Sequence, residues 1–569
     1  MLDSRPWHRF YSSVPATLEY PDATLYEALA QTAARVPEAI AWDFFGTRST
    51  YRELLAEVER CAAALAAEGL KAGERFLISM PTTPQGVIAF YAAIRVGALP
   101  ALIHPLSTPP EIRHYLDATG ARIALTLDAF HASLAVAQPR TPLEKIILAR
   151  IPDYLPPLKR LGFWLTKGRK IPTVPADPRV RWWKDLMAGG APAAPKASAG
   201  TNEPAAILFS GGTTALPKGI VLSHRNFIAE GMAAGAWCAL GEGDAILAIL
   251  PLFHGFGLAV CVNAAFMAGG TSILVPQFSA EIVAKRLRTD RPNVLVGVPT
   301  LFEALTRDAS LTRVDLSCLT ACFSGADTLP RVVKERFEKL VADRGGKVKL
   351  LEGYGLTEAV SGIMATPLEV YREGSIGVPL PDMLGKICAP ETVDEIPVGE
   401  EGEICVAGPA VMLGYLDDPE ATAQALRLHA DGRTWLHTGD LGRMDADGFF
   451  YFSVRLKRMI KSSGFNVYPA QVEAVIREHP AVADACVVGV PDPAQVERVA
   501  AYAVLRDPSL EGPEMEKVLI AHCRERLIKW SCPREVAFID ALPLTKVGKV
   551  DYRELVRRHA ARPPVAGGA

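Results

Sequence analysis

The fold class predicted for this chain is α/β: a large N-terminal domain of two doubly wound α/β subdomains plus a small β-barrel, then a smaller C-terminal α+β domain. Three observations predict it. The 569 residues exceed what one hydrophobic core supports, so at least two domains are expected. The strand-like segments of the N-terminal half are unbroken apolar runs, the pattern of parallel strands buried on both faces. These runs alternate with segments of helical periodicity, as in doubly wound sheets.

Residues 51–69 place Leu54, Leu55, Val58, Cys61, Ala62 and Leu65 along one helical face. A strand follows at 76–80 and stops at Pro81; 87–96 is again helical, and 99–103 and 123–127 are strands. Residues 187–204, rich in Ala, Gly and Pro and without periodicity, read as a linker. A second α/β series carries strands at 207–209, 245–250, 272–275 and 294–298. Residues 385–415 turn β-like and glycine-rich, as a small barrel or antiparallel sheet requires, and a smaller α/β unit starts at Arg455. The expected division is 1–454, 455–560 and a disordered tail at 561–569. Residues 245–270 are apolar and long enough to span a bilayer, but Pro251, His254, Asn263 and the glycines make them a buried strand–loop–helix.

With 49% hydrophobic and 22% charged residues the chain is neither disordered nor fibrous. A formal net charge of −2 gives no reason to expect nucleic acid as a partner. From Arg455 onward 18 Lys and Arg stand against 14 Asp and Glu, a mildly basic balance suited to a lid over anionic ligands or to an ordinary surface. The ten cysteines form no CxxC pair and no Cys/His cluster at zinc-ligand spacing, so they read as apolar filler in a reducing, cytoplasmic compartment. The opening MLDSRPWHRFYSS lacks the build of a secretory signal.

The segment Ser210-Gly211-Gly212-Thr213-Thr214-Ala215-Leu216-Pro217-Lys218-Gly219 directly follows an apolar strand. Glycines admit a polyphosphate close to backbone N–H groups, hydroxyls add donors, and Lys218 adds positive charge. It is not a Walker A loop, since GxxxxGK[ST] is absent. Further along stand Tyr354-Gly355-Leu356-Thr357-Glu358, Gly402-Glu403-Ile404 leading to Gly414-Tyr415, and His437-Thr438-Gly439-Asp440. Then come Arg455-x-Lys457-x-x-Ile460-Lys461-x-x-Gly464-x-x-Val467-x-Pro469 and Pro543-x-Thr545-x-x-Gly548-Lys549. In kind, order and near-complete coverage, this series resembles the adenylate-forming superfamily of acyl-CoA synthetases, luciferases and peptide-synthetase adenylation domains.

The resemblance implies the following roles. The cofactors are ATP and Mg2+, with coenzyme A as co-substrate. Ser210, Gly211, Gly212, Thr213, Thr214 and Lys218 would cradle phosphates; Tyr354 would flank adenine, with Gly353 beside it also cofactor-binding; Thr357 would contact phosphate; Glu358 would hold the magnesium. Asp440 would accept from both ribose hydroxyls, assisted by Arg455, and Lys461 and Gly464 would also be cofactor-binding. Lys549 would stabilise charge developing at the α-phosphorus. The C-terminal domain would be mobile, turning about a hinge at Lys457 so that the loop 462–466 serves the thiol step.

His254 would gate an acyl pocket lined by Phe256, Gly257, Val298, Ser324, Gly325 and Ala326, apolar and without an acidic partner for an α-ammonium group, so the acid should be hydrophobic. Arg5-Pro6-Trp7, 153–156, Gly211-Gly212 and 463–469 look most like bacterial medium- and long-chain fatty acid–CoA ligases. The alternatives are an aryl or other acid–CoA ligase, a fatty acyl–AMP ligase loading a carrier protein, and a non-catalytic acyl or nucleotide sensor. Residues 159–170, KRLGFWLTKGRK, either touch a membrane surface at its periphery or form a solvated loop. A homodimer is one open form of assembly. Ala215, Val454, Arg458 and Gln471 depart from the superfamily's pattern without removing a catalytic group.

Overall fold

The computed structural model describes residues 5–194, 199–210, 217–458, 460–462, 465–467, 469–492, 496–527, 529–545 and 550–561. It divides into two units. The first comprises Met1–Gly385, Val406–Leu436 and Asp447–Phe449; the second comprises Lys386–Cys405, His437–Ala446 and Phe450–Ala569.

The first unit holds two large sheets. One has eight strands in the order Gly414–Tyr415, Gly219–Ser223, Pro204–Phe209, Leu99–Leu102, Arg75–Ser79, Ile123–Leu127, Lys145–Ala149, Val180–Trp182. The other has nine: Val378–Pro379, Gly362–Ala365, Leu350–Gly355, Ala321–Ser324, Val294–Gly297, Ala245–Ala248, Thr271–Leu274, Ile40–Phe44, Thr47–Thr50. Their central strands pair in parallel and antiparallel pairs occur only toward the ends, as unbroken apolar runs require.

The helices form where the periodicity places them, and their ends are chemically marked. Thr50 caps the helix Tyr51–Ala67: its hydroxyl accepts from the Glu53 N–H while the Glu53 carboxylate accepts from the Thr50 N–H. Leu54, Val58, Cys61 and Leu65 of that helix are buried. The helix Pro84–Val96 is buried on nearly every side, which explains its lack of a polar face, and it ends at Gly97 in the left-handed region. The apolar run at 245–270 is divided into the strand Ala245–Ala248, a π-helical turn Phe256–Asn263 and the helix Ala264–Ala268. No described helix is long and apolar enough to cross a membrane. Residues 159–170, with a solvated loop as one sequence alternative, lie instead mostly in the helix Pro157–Thr166.

A five-stranded sheet runs Leu384–Cys388, Gly402–Ala407, Thr434–Met444, Leu426–Leu428, with Phe450–Arg455 beside Thr434–Met444. The C-terminal α+β part has the order Phe465–Val467, Ile460–Ser462, Val496–Leu505, Val482–Asp492, with Glu535–Phe538 parallel to Val496–Leu505. Two cores serve it: one includes Val472, Ile476 and Leu519 from the helices Pro469–Glu478 and Pro513–Arg524, the other Tyr502 and Leu555 with the helix Tyr552–Ala560. The departure at Arg458 is accommodated here, because Arg458 pairs with the buried carboxylate of Glu473, which also accepts from the Val487 N–H over 2.8 Å.

Candidate functional site

Four segments of the first unit converge on the predicted acyl and nucleotide residues. The strands Val294–Gly297, Ala321–Ser324 and Leu350–Gly355 lie side by side in parallel, with Gly297 opposite Ser324 and Ser324 opposite Glu352. Their carboxyl ends therefore deliver Val298, then Ser324, Gly325 and Ala326, then Gly353 and Tyr354 to one edge, where open α/β sheets place ligands. The Gly325 N–H donates to the Gly297 carbonyl over 3.0 Å. A Cβ on Gly325 would stand 3.1 Å from the Gly353 carbonyl oxygen and 3.3 Å from the Phe256 ring, so Gly325 lies in close contact with both the nucleotide segment and the acyl segment. Ser324 is buried, and its hydroxyl has no hydrogen-bond partner among the described residues.

The fourth segment is the gate. The His254 Nδ1 accepts from the Phe256 N–H over 3.2 Å, which fixes the imidazole against the start of the π-helical turn. Gly255 and Gly257 are required by contact. A Cβ on Gly255 would overlap the Val360 carbonyl oxygen, and one on Gly257 would overlap the Pro251 carbonyl oxygen. Close packing thus joins the acyl gate to the turn that carries Thr357 and Glu358.

That turn is strained. Thr357–Ala359 forms a single 3-10 turn, and Val360 follows at φ 63°, ψ −60°, a conformation costly for a β-branched residue. Surrounding contacts hold it. The Met412 N–H donates to the Glu358 carbonyl over 2.8 Å, and the Tyr415 hydroxyl donates to Glu358 Oε1 over 2.9 Å. Glu230, fully buried, accepts from the Gly362 N–H over 2.8 Å, and its burial pushes the carboxyl up to about 8. Neither Glu230 nor Tyr415 is identifiable as part of this turn from local sequence, since both arrive from distant segments.

The phosphate segment is closed at its mouth. The Ser210 N–H donates to the Lys218 carbonyl over 3.0 Å and the Lys218 N–H donates to Ser210 Oγ over 3.2 Å. Lys218 Nζ sits 3.0 Å from Asp418 and 4.9 Å from the centre of the Tyr415 ring. Both partners are substantially exposed, so the ion pair itself contributes little and does not tie the ammonium down. Gly211, Gly212, Thr213 and Thr214 lie outside the described residues.

In the second unit Asp440 and Arg455 are directly opposed across the antiparallel pair Thr434–Met444 and Phe450–Arg455, with Nε to Oδ1 at 3.0 Å. Asp440 is buried, and its N–H donates to Thr438 Oγ1 over 3.1 Å. The preceding turn is anchored by Glu403: Oε1 accepts from the Gly439 N–H over 2.9 Å and Oε2 lies 2.8 Å from His437 Nδ1. Cys405 Sγ is 3.6 Å from the same nitrogen, so the fold gathers three ligand-type side chains that sequence spacing does not put together. Lys457 lies in the turn Leu456–Arg458 and Lys461 on the strand Ile460–Ser462; Gly464 and Lys549 lie outside the described residues.

The AMP-binding enzyme family model matches residues 29–416, and the model of the AMP-binding enzyme C-terminal domain matches 471–549. A long-chain-fatty-acid–CoA ligase of Bacillus subtilis is 34% identical over 98% of this chain and 98% of the relative. Among solved structures, ATP-bound MatB from Rhodopseudomonas palustris superposes with a TM-score of 0.82 at 26% identity, covering 95% of this chain and 99% of the other. A Mycobacterium tuberculosis fatty acyl CoA synthetase gives a TM-score of 0.72 at 26% identity, covering 95% and 98%. With the first model alone spanning more than half the sequence, the chain belongs to the AMP-binding enzyme family.

Proposed function

We propose that the protein is an ATP-dependent fatty acid–CoA ligase: it activates a hydrophobic carboxylic acid as an acyl-adenylate with release of pyrophosphate, then transfers the acyl group to the thiol of coenzyme A. The observation that carries the reading is the convergence, at the carboxyl ends of neighbouring parallel strands, of an acyl-lining set and a nucleotide-lining set, with Gly325 close to both Phe256 and Gly353. Such proximity is what in-line attack of a carboxylate on the α-phosphorus needs.

In this reading Ser210, Lys218 and Thr357 bind phosphate oxygens, Tyr354 stacks beside adenine, and Asp440 accepts both ribose hydroxyls, a two-acceptor task that suits a carboxylate. The site fits a magnesium ion, since Glu358, next to Thr357 in the chain, offers a half-buried carboxylate whose Oε1 accepts from the Tyr415 hydroxyl. When bound, the ion neutralises phosphate charge. Lys549 stabilises the charge that accumulates in the transition state. His254 and Phe256 close the acyl pocket, which Val298, Ser324, Gly325 and Ala326 line with little polarity.

The division into residues 1–454 and 455–560, with Lys457 as the hinge of a mobile lid, belongs to the same proposal, as does a cytoplasmic enzyme that meets lipid-derived acid at a membrane periphery. Pairing of two copies is tested by sedimentation velocity. A second reading, an aryl acid–CoA ligase, is supported by the likeness to the benzoate CoA ligase from Burkholderia xenovorans LB400, with a TM-score of 0.78 at 25% identity.

The deciding experiment is pyrophosphate release across a panel of fatty and aryl acids, with and without coenzyme A. Release that depends on a fatty acid and needs no thiol supports the proposal. Silence across the panel overturns it. Lys549→Ala should abolish adenylation, and Lys457→Pro should spare it while impairing thioester formation; loss of both half-reactions in the second variant counts against the hinge.

A further inference from the structure

The helix Pro157–Thr166 is turned inside out. None of its residues is buried, and Leu158, Leu161, Trp164 and Leu165 are 86%, 56%, 55% and 49% exposed. No other ten-residue stretch among the described residues holds more than two large apolar side chains as exposed. At ~100° per residue these four fall within an arc of roughly 120° on one helix face. The opposite face meets the protein: Phe163 is half-buried and the Lys159 ammonium donates to the Phe45 carbonyl. The apolar face is therefore presented to solvent by anchored residues on the other side.

Charge decides what that face meets. Arg160, Lys167, Arg169 and Lys170 are exposed, while Lys159 is committed to the anchored side, and no acidic residue occurs from Pro157 to Lys170. The Arg169 guanidinium stacks 4.7 Å from the centre of the Trp164 ring, holding an amphipathic aromatic beside a cation, a pairing suited to the headgroup level of a bilayer. A two-fold contact between copies through this helix would oppose one such cation cluster with another, at an electrostatic cost that an anionic lipid surface converts to attraction.

We propose that the helix Pro157–Thr166 lies in the plane of an anionic lipid surface, with Leu158, Leu161, Trp164 and Leu165 inserted among acyl chains and the flanking cations on phosphate headgroups. Docking would hold the enzyme where a hydrophobic acid is dissolved, a purpose that rests on the fatty acid reading. The docking geometry itself does not.

The test is co-sedimentation of the full chain with vesicles of phosphatidylcholine alone and of phosphatidylcholine with phosphatidylglycerol, at low and high salt. Binding to the anionic vesicles should fall at least tenfold in Leu158→Glu/Leu165→Glu and severalfold in Lys167→Gln/Arg169→Gln/Lys170→Gln, and should weaken with salt for the wild type. Absence of wild-type binding, equal salt-insensitive binding to both vesicle types, or variants that bind as the wild type each overturn it. Loss of a dimer in the Leu variant with no vesicle binding by the wild type overturns it in favour of a second copy. Circular dichroism should be unchanged, since no substituted side chain is buried. Pyrophosphate release should drop in the variants only for acid supplied in vesicles; if no acid supports release while vesicle binding persists, the ligase reading fails and the docking stands.

Discussion

The hydroxyl of Tyr415 donates to Oε1 of Glu358 over 2.9 Å, tying the end of one motif to the acidic residue of another. The phenol lies within an environment that holds its proton firmly, because burial and the Glu358 charge both raise its pKa above the ordinary tyrosine value. It therefore acts as a hydrogen-bond donor at any working pH and fixes which oxygens of Glu358 remain open. Tyr415→Phe should raise the magnesium concentration for half-maximal pyrophosphate release by roughly ten- to a hundredfold, corresponding to about 1.5–3 kcal/mol for a hydrogen bond to a charged group. An unchanged magnesium titration would remove Tyr415 from this role.

Glu230 should give the fold a pH dependence. Its carboxyl is pushed up to about 8 by burial, against an ordinary value of 4.5 in the unfolded chain. The native state holds the proton more tightly, so the stabilisation is fully present below the unfolded value and is lost as pH rises toward and through about 8. Glu230→Gln keeps the oxygen that accepts from Gly362 and cannot ionise. The wild type should therefore lose on the order of 3 kcal/mol relative to this variant between pH 5 and 8.5, measured by denaturant unfolding at each pH.

Gly255→Ala tests the packing between acyl gate and nucleotide turn. The added methyl would overlap the Val360 carbonyl, which is backbone already held in a strained turn and cannot withdraw. Destabilisation of about 2–3 kcal/mol or more is expected from forced overpacking, read as a fall in Tm. Gly73→Ala, with open space but a positive φ, is the comparison for conformational strain alone.

Glu403 positions the turn before Asp440 without itself being placed against nucleotide. Glu403→Ala removes the acceptor of the Gly439 N–H and leaves the buried His437 without that carboxylate. The KM for ATP should rise about tenfold with kcat changed much less, as expected for loss of one charge-assisted hydrogen bond that orients a binding group. Glu403→Gln, which keeps an acceptor for Gly439, should recover most of the affinity; equal loss in both variants would mean that the carboxylate contact with His437, not the backbone anchor, sets the turn.

The doubly wound core was legible in the order of residues because local rules agree with the global one there. The unbroken apolar runs at 76–80, 99–103 and 123–127 can only be satisfied between two covering layers, and Thr50 with Glu53 writes a helix start into four residues. The motif series likewise named Thr357, Glu358, Asp440 and Arg455 from their neighbours in the chain. The sequence by itself could not assign Glu230, Tyr415 or Glu403 to those groups, since hydrogen bonds between distant segments leave no periodic trace. Nor could it separate a solvated loop at 159–170 from a helix whose apolar face looks outward, because periodicity reports that a face exists and not which side the protein covers. That choice is made by what packs behind Phe163 and Lys159, and only the tertiary structure supplies it.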